Sequence, residues 1–477
     1  MLLIAIILAL FQIMGLISSV HAILGTRTSQ GAIAWVVSLN ALPVVAVPAY
    51  WFLGRSKFQG YIGARRESSA DAGEARAEIF RSFQPYVVDG PAADPEYQAI
   101  RSLALTPFLR GNEVRLLVDG KATYDSIYQG IENARDYVLF QFYILRADDS
   151  GNRFKELLIR KAGEGVAVYV LYDELGSGDL KQEWLAGFRQ AGAKIAPFNT
   201  RQGKRNRFQV NFRNHRKIVV VDGRSAWVGG LNVGDDYLGN DPKLNPWRDT
   251  HMRIDGPSAL LAQSIFWNDW NWADRTLLKD LSWQPQKADA LAEDKGKEVL
   301  VLGSGPADKV ETASLFFTNT LNIARRRIWI ATPYFIPDEA TMVALRLALL
   351  KKLDVRIITP ALNDNWFVRH AANVYISELS QLGARIYFFE KGFMHQKVML
   401  VDDAVSIVGT VNFDNRSFRL NFEVTGVVVD QAFARELEAM LLDDLSNSIE
   451  LSGYNLENES LWERLKAHGS ALLAPVL

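Results

Sequence analysis

The chain opens on two apolar runs. Positions 2 to 24 (LLIAIILALFQIMGLISSVHAIL) and 31 to 53 (GAIAWVVSLNALPVVAVPAYWFL) are each long enough, at about 1.5 Å per residue, to cross a hydrocarbon core of about 30 Å as a helix. The six residues GTRTSQ between them leave room only for a hairpin turn, so both ends fall on one side of a bilayer. Pro43 and Pro48 are tolerated inside a membrane helix, and Tyr50, Trp51 and Phe52 stand where an interfacial aromatic belt is expected.

Beyond residue 100 the pattern alternates. YVLFQFYIL (137 to 145) and VAVYVLYD (166 to 173) read as strands, with a helical stretch from Arg153 to Lys161 between them. A helix around Gln182 to Gln190 leads to the strand KIAPFN, and this β-α-β-α-β order predicts a largely parallel sheet with helices on its faces. The order then recurs. IWIATPYFI (328 to 336) precedes helical TMVALRLALLKK, strand VRIITP, helical VRHAANVYISELSQL and strand RIYFFE. A repeat of roughly 200 residues is too long for a solenoid and indicates a duplicated α/β domain. Residues 67 to 100, rich in Ala, Glu, Asp and Pro, read as a connector, and the polar stretch 273 to 298 as a linker. The expected divisions are 1–56 (spans at about 3–24 and 31–53), 57–100, 101–272, 273–298 and 299–477.

Charge sharpens this division. Of 107 Asp, Glu, Lys and Arg residues in 477, the first 54 positions hold one, Arg27. Arg55, Lys57, Arg65 and Arg66 follow the second run, so the positive-inside bias places the body in the cytoplasm, and the two spans make the chain a multi-pass membrane protein. A cleavable signal ending near Val20-His21-Ala22 is the competing reading, but no positive n-region precedes it. With no cysteine, disulfides, Cys-ligated zinc, iron–sulfur clusters and thiol catalysis are excluded. The net charge of −1 argues against a nucleic-acid-coating protein. Between Trp184 and Val221, however, lie nine basic residues and no acidic ones, among them Arg201, Lys204, Arg205, Arg207 and Arg213. Beside a membrane hairpin, such a stretch fits anionic lipid headgroups, and no nucleic acid is expected as partner.

The chemistry lies where the copies agree. NHRKIVVVDGRSAWVGGLN (214 to 232) and MHQKVMLVDDAVSIVGTVN (394 to 412) register throughout: His215 with His395, Lys217 with Lys397, Asp222 with Asp402, Gly229 with Gly409, Asn232 with Asn412. Two chance H-x-K-x4-D matches have a probability on the order of 1 in 10,000. The segments are strands, so His and Lys at i and i+2 project from one face and set an imidazole beside an ammonium. That pair suits a phosphodiester: the ammonium neutralises anionic oxygens while the imidazole attacks phosphorus or passes a proton. Asn232 and Asn412 are placed to donate to the same oxygens. Metal is disfavoured, because the lysines repel a cation. Asp222 and Asp402 sit at strand ends, where a turn role competes with a catalytic one. Each histidine needs an orienting carboxylate, and Asp249 and Glu423 follow the two motifs. His21, His251, His370 and His468 have no repeat partner and read as incidental.

Together with TPYFIPDE (332 to 339), YDELGSG (172 to 178), WRDTH (247 to 251) and NFDNRSFRLNFE (412 to 423), the tandem motifs resemble bacterial cardiolipin synthases of the phospholipase D superfamily, over nearly the whole chain. GTVN in the second copy stands where a serine and an alanine are commoner. The resemblance implies an α/β fold of two tandem phospholipase D-like domains, with mixed sheets flanked by helices and a pseudo-twofold relation, behind a two-helix transmembrane hairpin. It implies transphosphatidylation of two phosphatidylglycerols to cardiolipin and glycerol through a phosphohistidine, with His215 as nucleophile, His395 as acid and no cofactor. The catalytic set expected is His215, Lys217, Asp222, His395, Lys397 and Asp402. A hydrolytic phospholipase D shares every such residue, and a membrane-tethered nuclease is the remaining alternative.

Overall fold

Strand alternation builds the body. In Tyr137–Phe142, the side chains of Val138, Phe140 and Phe142 pack on one face of a sheet, against helices Asp119–Glu132, Asp149–Gly163 and Gln182–Gln190. Tyr137 and Leu139 pack on the other, against helix Ala259–Asp274. A strand with apolar residues on both faces must be covered twice, and the helices between successive strands supply the cover.

The computed structural model describes residues 2–26, 28–54, 57–58, 60–63, 80–89, 91–199, 211–241, 243–289, 291, 296–451 and 453–476. Arg27, Arg55, Arg65, Arg66 and the basic residues Arg201, Lys204, Arg205 and Arg207 lie outside them.

Among the described residues, both copies share one sheet of 16 strands. Tyr137–Phe142, Ala167–Asp173 and Lys194–Phe198 run parallel, as the intervening helices require. Ile218–Val221 pairs antiparallel with Tyr137–Phe142 and, across a tight turn, with Ser225–Gly229; Thr250–Asp255 and Leu109–Val118 extend the antiparallel part. The second copy repeats this order from Arg385–Phe389 to Lys297–Ser304. The sheet is therefore mixed rather than largely parallel, because strands joined by a short turn can only pair antiparallel. Leu109–Val118 and Lys297–Ser304 close the junction antiparallel, Leu109 opposite Val299, which relates the two halves by a pseudo-twofold through this seam.

The N-terminal segment departs from expectation. Leu2–Gly25 is one helix, long and apolar enough to cross a membrane. The second run is two helices, Ser29–Ala41 and Pro43–Leu53, broken at Leu42 (φ −135°, ψ 59°). Proline lacks the N–H for the helical ladder and disfavours helical geometry in the residue before it. Polar side chains tie these helices to the first: Asn40 donates to Ser19 Oγ at 2.8 Å, and Trp51 Nε1 to Ser18 Oγ at 3.0 Å. The flanking segments are also more than spacers. Phe58 and Tyr61 are buried against Phe422, Phe58 also meets Phe212, and Leu278 and Leu281 are buried in the core.

Candidate active site

The motif strands Ile218–Val221 and Val398–Val401 are buried along their length, which sets both H-x-K triplets at the end of the sheet where the parallel strands finish. Just before each histidine, two residues leave their own copy and pair with the other. Arg213–Asn214 aligns with Asn421 and Phe422, and Phe393–Met394 aligns with Trp247 and Arg248. The His215 N–H donates to the Phe422 carbonyl at 2.9 Å, and the His395 N–H to the Arg248 carbonyl at 2.8 Å.

This exchange delivers each imidazole to a carboxylate of the opposite copy. His215 Nδ1 lies 3.0 Å from both Glu423 oxygens, and His395 Nδ1 lies 2.8 Å from Asp249 Oδ2. Both carboxylates are fully buried. A carboxylate at Nδ1 favours the tautomer with the proton on that nitrogen, which leaves the lone pair on Nε2 of each ring. The Lys217 ammonium donates to the His215 carbonyl at 2.8 Å, and the Lys397 ammonium to the His395 carbonyl, so each lysine is held beside its own imidazole.

The supports differ. Glu423 also accepts from Thr410 Oγ1 at 2.5 Å and Asn421 Nδ2 at 3.1 Å. Asp249 accepts from the Thr250 N–H at 2.8 Å and from Trp247 Nε1 at 3.4 Å. Gly230, the counterpart of Thr410, carries no side chain, and a Cβ there would overlap the Asp249 carboxylate. The threonine in GTVN is thus a hydrogen-bonding part of one half-site, while glycine makes room in the other.

Burial dominates the titration. It pushes His215 down to about 4, against the pull of Glu423, and His395 well below its ordinary value, with Lys397 and Lys217 adding to the effect. The same desolvation brings Lys217 down to about 7 and Lys397 down to about 8. Burial raises Asp249. It also acts to raise Glu423, but the charges of His215 and Lys217 and the bonds from His215 and Thr410 outweigh it and hold that carboxyl low. Desolvation thus favours the uncharged imidazoles and loosens the hold of both lysines on their protons.

Other expected residues are placed differently. Asp222 (φ +52°) accepts the N–H groups of Arg135, Asp136 and Tyr137 at 2.8–2.9 Å. Asp402 (φ +51°) accepts those of Arg325, Arg326 and Arg327. Both lie at the far end of their motif strands from the histidines, pinning the start of a central parallel strand. Opposite strand parity and the six residues between each aspartate and its histidine set these carboxylates apart from the imidazoles, in the turn role that the sequence also offered. Asn232 accepts from the Ile144 N–H at 3.0 Å and donates to Tyr237 Oη at 3.1 Å. Asn412 Oδ1 is buried without a partner among the described residues.

Two aromatic walls were missed in the sequence. Tyr143 stands edge-on to His215 at 5.0 Å between centroids, and Trp247 lies 5.1 Å from His395. A tyrosine follows the first parallel strand in both copies, Tyr143 and Tyr334, and that recurrence was the available signal. His251, read as incidental, is fully buried, its Nδ1 accepting from the Leu231 N–H at 3.3 Å.

Comparison with known proteins follows the same lines. The family model described as cardiolipin synthase, PLD-like domain matches residues 127–270 and 317–445. A cardiolipin synthase A of Pseudomonas fluorescens (strain SBW25) is 44% identical over 480 residues, covering 100% of this chain and 98% of that protein. One of Pseudomonas aeruginosa (strain LESB58) is 43% identical over 471 residues, covering 98% and 94%. The crystal structure of a phosphatidylserine synthase from Haemophilus influenzae Rd KW20 superposes with a TM-score of 0.62 at 17% identity, over 80% of this chain and 100% of that one, a likeness of fold.

Proposed function

Because this chain belongs to the cardiolipin synthase family of phospholipase D-like proteins, we propose that its two histidines carry a transphosphatidylation between two phosphatidylglycerol molecules. The chain is a phospholipid phosphatidyltransferase. The observation that carries the residue-level reading is the crossed pair of buried imidazole–carboxylate bonds, His215 to Glu423 and His395 to Asp249.

The phosphodiester of the first lipid enters between Lys217 and Lys397, whose ammonium groups neutralise its oxygens. The Nδ2–H groups of Asn232 and Asn412 are the amide donors offered to this position. The added anion raises the proton affinity of His395, so that this imidazole takes up a proton and acts as general acid. His215 Nε2 attacks phosphorus, and Glu423, held ionised by Thr410 and Lys217, stabilises the positive ring that forms. His395 protonates the departing glycerol oxygen. The phosphatidyl group now sits on His215. His395, neutral again, takes the proton from a primary hydroxyl of the second phosphatidylglycerol, whose oxygen displaces His215. One phosphodiester replaces another, so the exchange needs no nucleotide. The less firmly ionised Asp249 makes His395 the stronger acid, and the better supported Glu423 makes His215 the better nucleophile.

The apolar helix Leu2–Gly25 and the family support membrane association. We read the broken second run as the return arm of a hairpin kinked at Pro43, with the body on the cytoplasmic face of the inner membrane and the two catalytic domains as 101–272 and 299–477. The test is radiolabelled phosphatidylglycerol with the purified protein in nanodiscs. Cardiolipin and free glycerol are expected from the wild type, with His215→Ala and His395→Ala inactive. Phosphatidic acid without cardiolipin replaces this reading with a hydrolytic one.

A further inference from the structure

Outside residues 2–53, 19 large apolar side chains are exposed among the described residues, and eight of them crowd one surface: Leu362, Trp366, Phe367, Leu461, Trp462, Leu465, Leu472 and Leu473. Both exposed tryptophans of the body are in this group. Helix Leu461–Ala471 packs on helix Trp366–Gln381. Ala471 and Ala474 bury against Ile336, Val368 and Ala371 beneath it, and His370 feels the charges of Glu463 and Lys466. The two sets of exposed residues therefore form one surface on a rigid base. An apolar groove of about 350 Å³ adjoins it, lined by Phe335, Val368, Ala372, Ile376, Ile449 and Leu451.

We propose that this surface is a second membrane contact, which lays the mouth of the catalytic cleft on the lipid bilayer. The proposal rests on the membrane association of the chain and not on the reaction assigned to it. Three observations choose lipid as the occupant. First, the patch follows the C-terminal end of strand Asp354–Pro360, which runs parallel to Arg327–Ala331. Ala331 at the end of that strand lies opposite Val398, next to Lys397, so patch and His395 share one end of the sheet. Tyr334 bridges them, donating at 2.8 Å to Asp364, whose charge acts on Lys397.

Second, the tether is short. Only residues 54 to 57 separate helix Pro43–Leu53 from Phe58, which is buried on Phe422 beside Glu423. Five residues reach at most about 18 Å, so the bilayer surface lies that close to the buried catalytic strand and some face of the body must meet it. Third, the patch has interfacial chemistry: two exposed tryptophans stand among exposed leucines and a phenylalanine, with charges of both signs around them, Arg369 and Arg464 as well as Asp364, Glu457 and Glu459. Tryptophan rings with a polar edge beside leucines match the water–hydrocarbon boundary of a bilayer, which chooses lipid by its apolar and aromatic content rather than by charge.

The chain has no cysteine, so single-cysteine variants can be labelled directly. Trp462→Cys and Leu350→Cys, the latter exposed at the opposite end of strand Asp354–Pro360, would carry an environment-sensitive fluorophore. The full chain would sit in phosphatidylglycerol nanodiscs containing doxyl lipids. The label at 462 is expected to shift to the blue and be quenched by shallow doxyl groups, and the label at 350 to stay aqueous. An aqueous label at 462 overturns the proposal. So does a label at 462 that is buried in detergent without lipid in proportion to protein concentration, which gives the surface to a second copy. As a functional arm, the ratio of turnover on nanodisc lipid to turnover on monomeric short-chain phosphatidylglycerol is expected to fall about ten-fold in Trp366→Ser/Trp462→Ser. An unchanged ratio counts against the surface, and because the label needs no turnover, its result stands apart from the identity of the reaction.

Discussion

His395 Nδ1 stands 2.8 Å from Asp249 Oδ2, 146 residues earlier and in the other copy of the repeat. His215 reaches back in the same way to Glu423. Neither copy contains a complete site: each histidine is oriented only when the two halves close along the seam of Leu109–Val118 and Lys297–Ser304.

On the proposed mechanism, the crossing separates the two steps of the reaction. Glu423→Gln removes the charge behind the nucleophile and is expected to slow formation of the phosphohistidine by on the order of 10²–10⁴-fold. Asp249→Asn acts on the acid and base instead. Rapid-quench trapping of labelled protein with phosphatidylglycerol checks this. Equal phosphoenzyme formation in Glu423→Gln and wild type would contradict the assignment of His215.

Gly230 and Thr410 supply a steric test. In Gly230→Ala the new Cβ meets the Asp249 carboxylate, so activity is expected to fall as far as in Asp249→Asn although no polar group is lost. Thr410→Val removes the 2.5 Å bond to Glu423 and is expected to lower kcat by about ten-fold, with Thr410→Ser close to wild type. Steady-state kinetics on the variants decide it.

The buried lysines set the alkaline limb. Lys217 and Lys397 are brought down to about 7 and about 8, so their ammonium form, and with it phosphate binding, is present at lower pH and lost as pH rises through that range. In a pH profile, kcat/KM is therefore expected to decline on the alkaline side, while kcat, measured with substrate bound, holds to higher pH because the anion supports both cations. Identical limbs for both parameters would contradict this.

The contacts of Asp222 favour a role in stability. Asp222→Ala releases three backbone N–H groups and leaves a positive φ without a suitable side chain, a loss of about 2–4 kcal/mol. Chemical denaturation is expected to show this shift, with activity per folded molecule retained within about three-fold. A large loss of kcat at unchanged stability would instead establish a catalytic role.

The duplication, the H-x-K pairs and the carboxylate candidates were legible because they are linear: a registered repeat, a period of two along a strand and acidic residues after each motif. Asp222 and Asp402 were ambiguous for the same reason, since spacing along a strand does not reveal which end faces the cleft. The second apolar run was read as one helix because hydropathy sums over a window, whereas the break at Leu42 comes from the local geometry that Pro43 imposes. The mixed sheet followed from the short turn at Asp222 to Arg224, which forces an antiparallel return.

By itself the sequence pointed to the chemistry proposed for the site, because two imidazoles and two ammonium groups in register suit a phosphodiester wherever they fold. Tertiary structure alone decided which carboxylate serves which histidine. Backbone pairing between the copies, at Arg213–Asn214 with Asn421 and Phe422 and at Phe393–Met394 with Trp247 and Arg248, carries each histidine across the seam, and long-range strand pairing leaves no periodicity in the chain from which to read it.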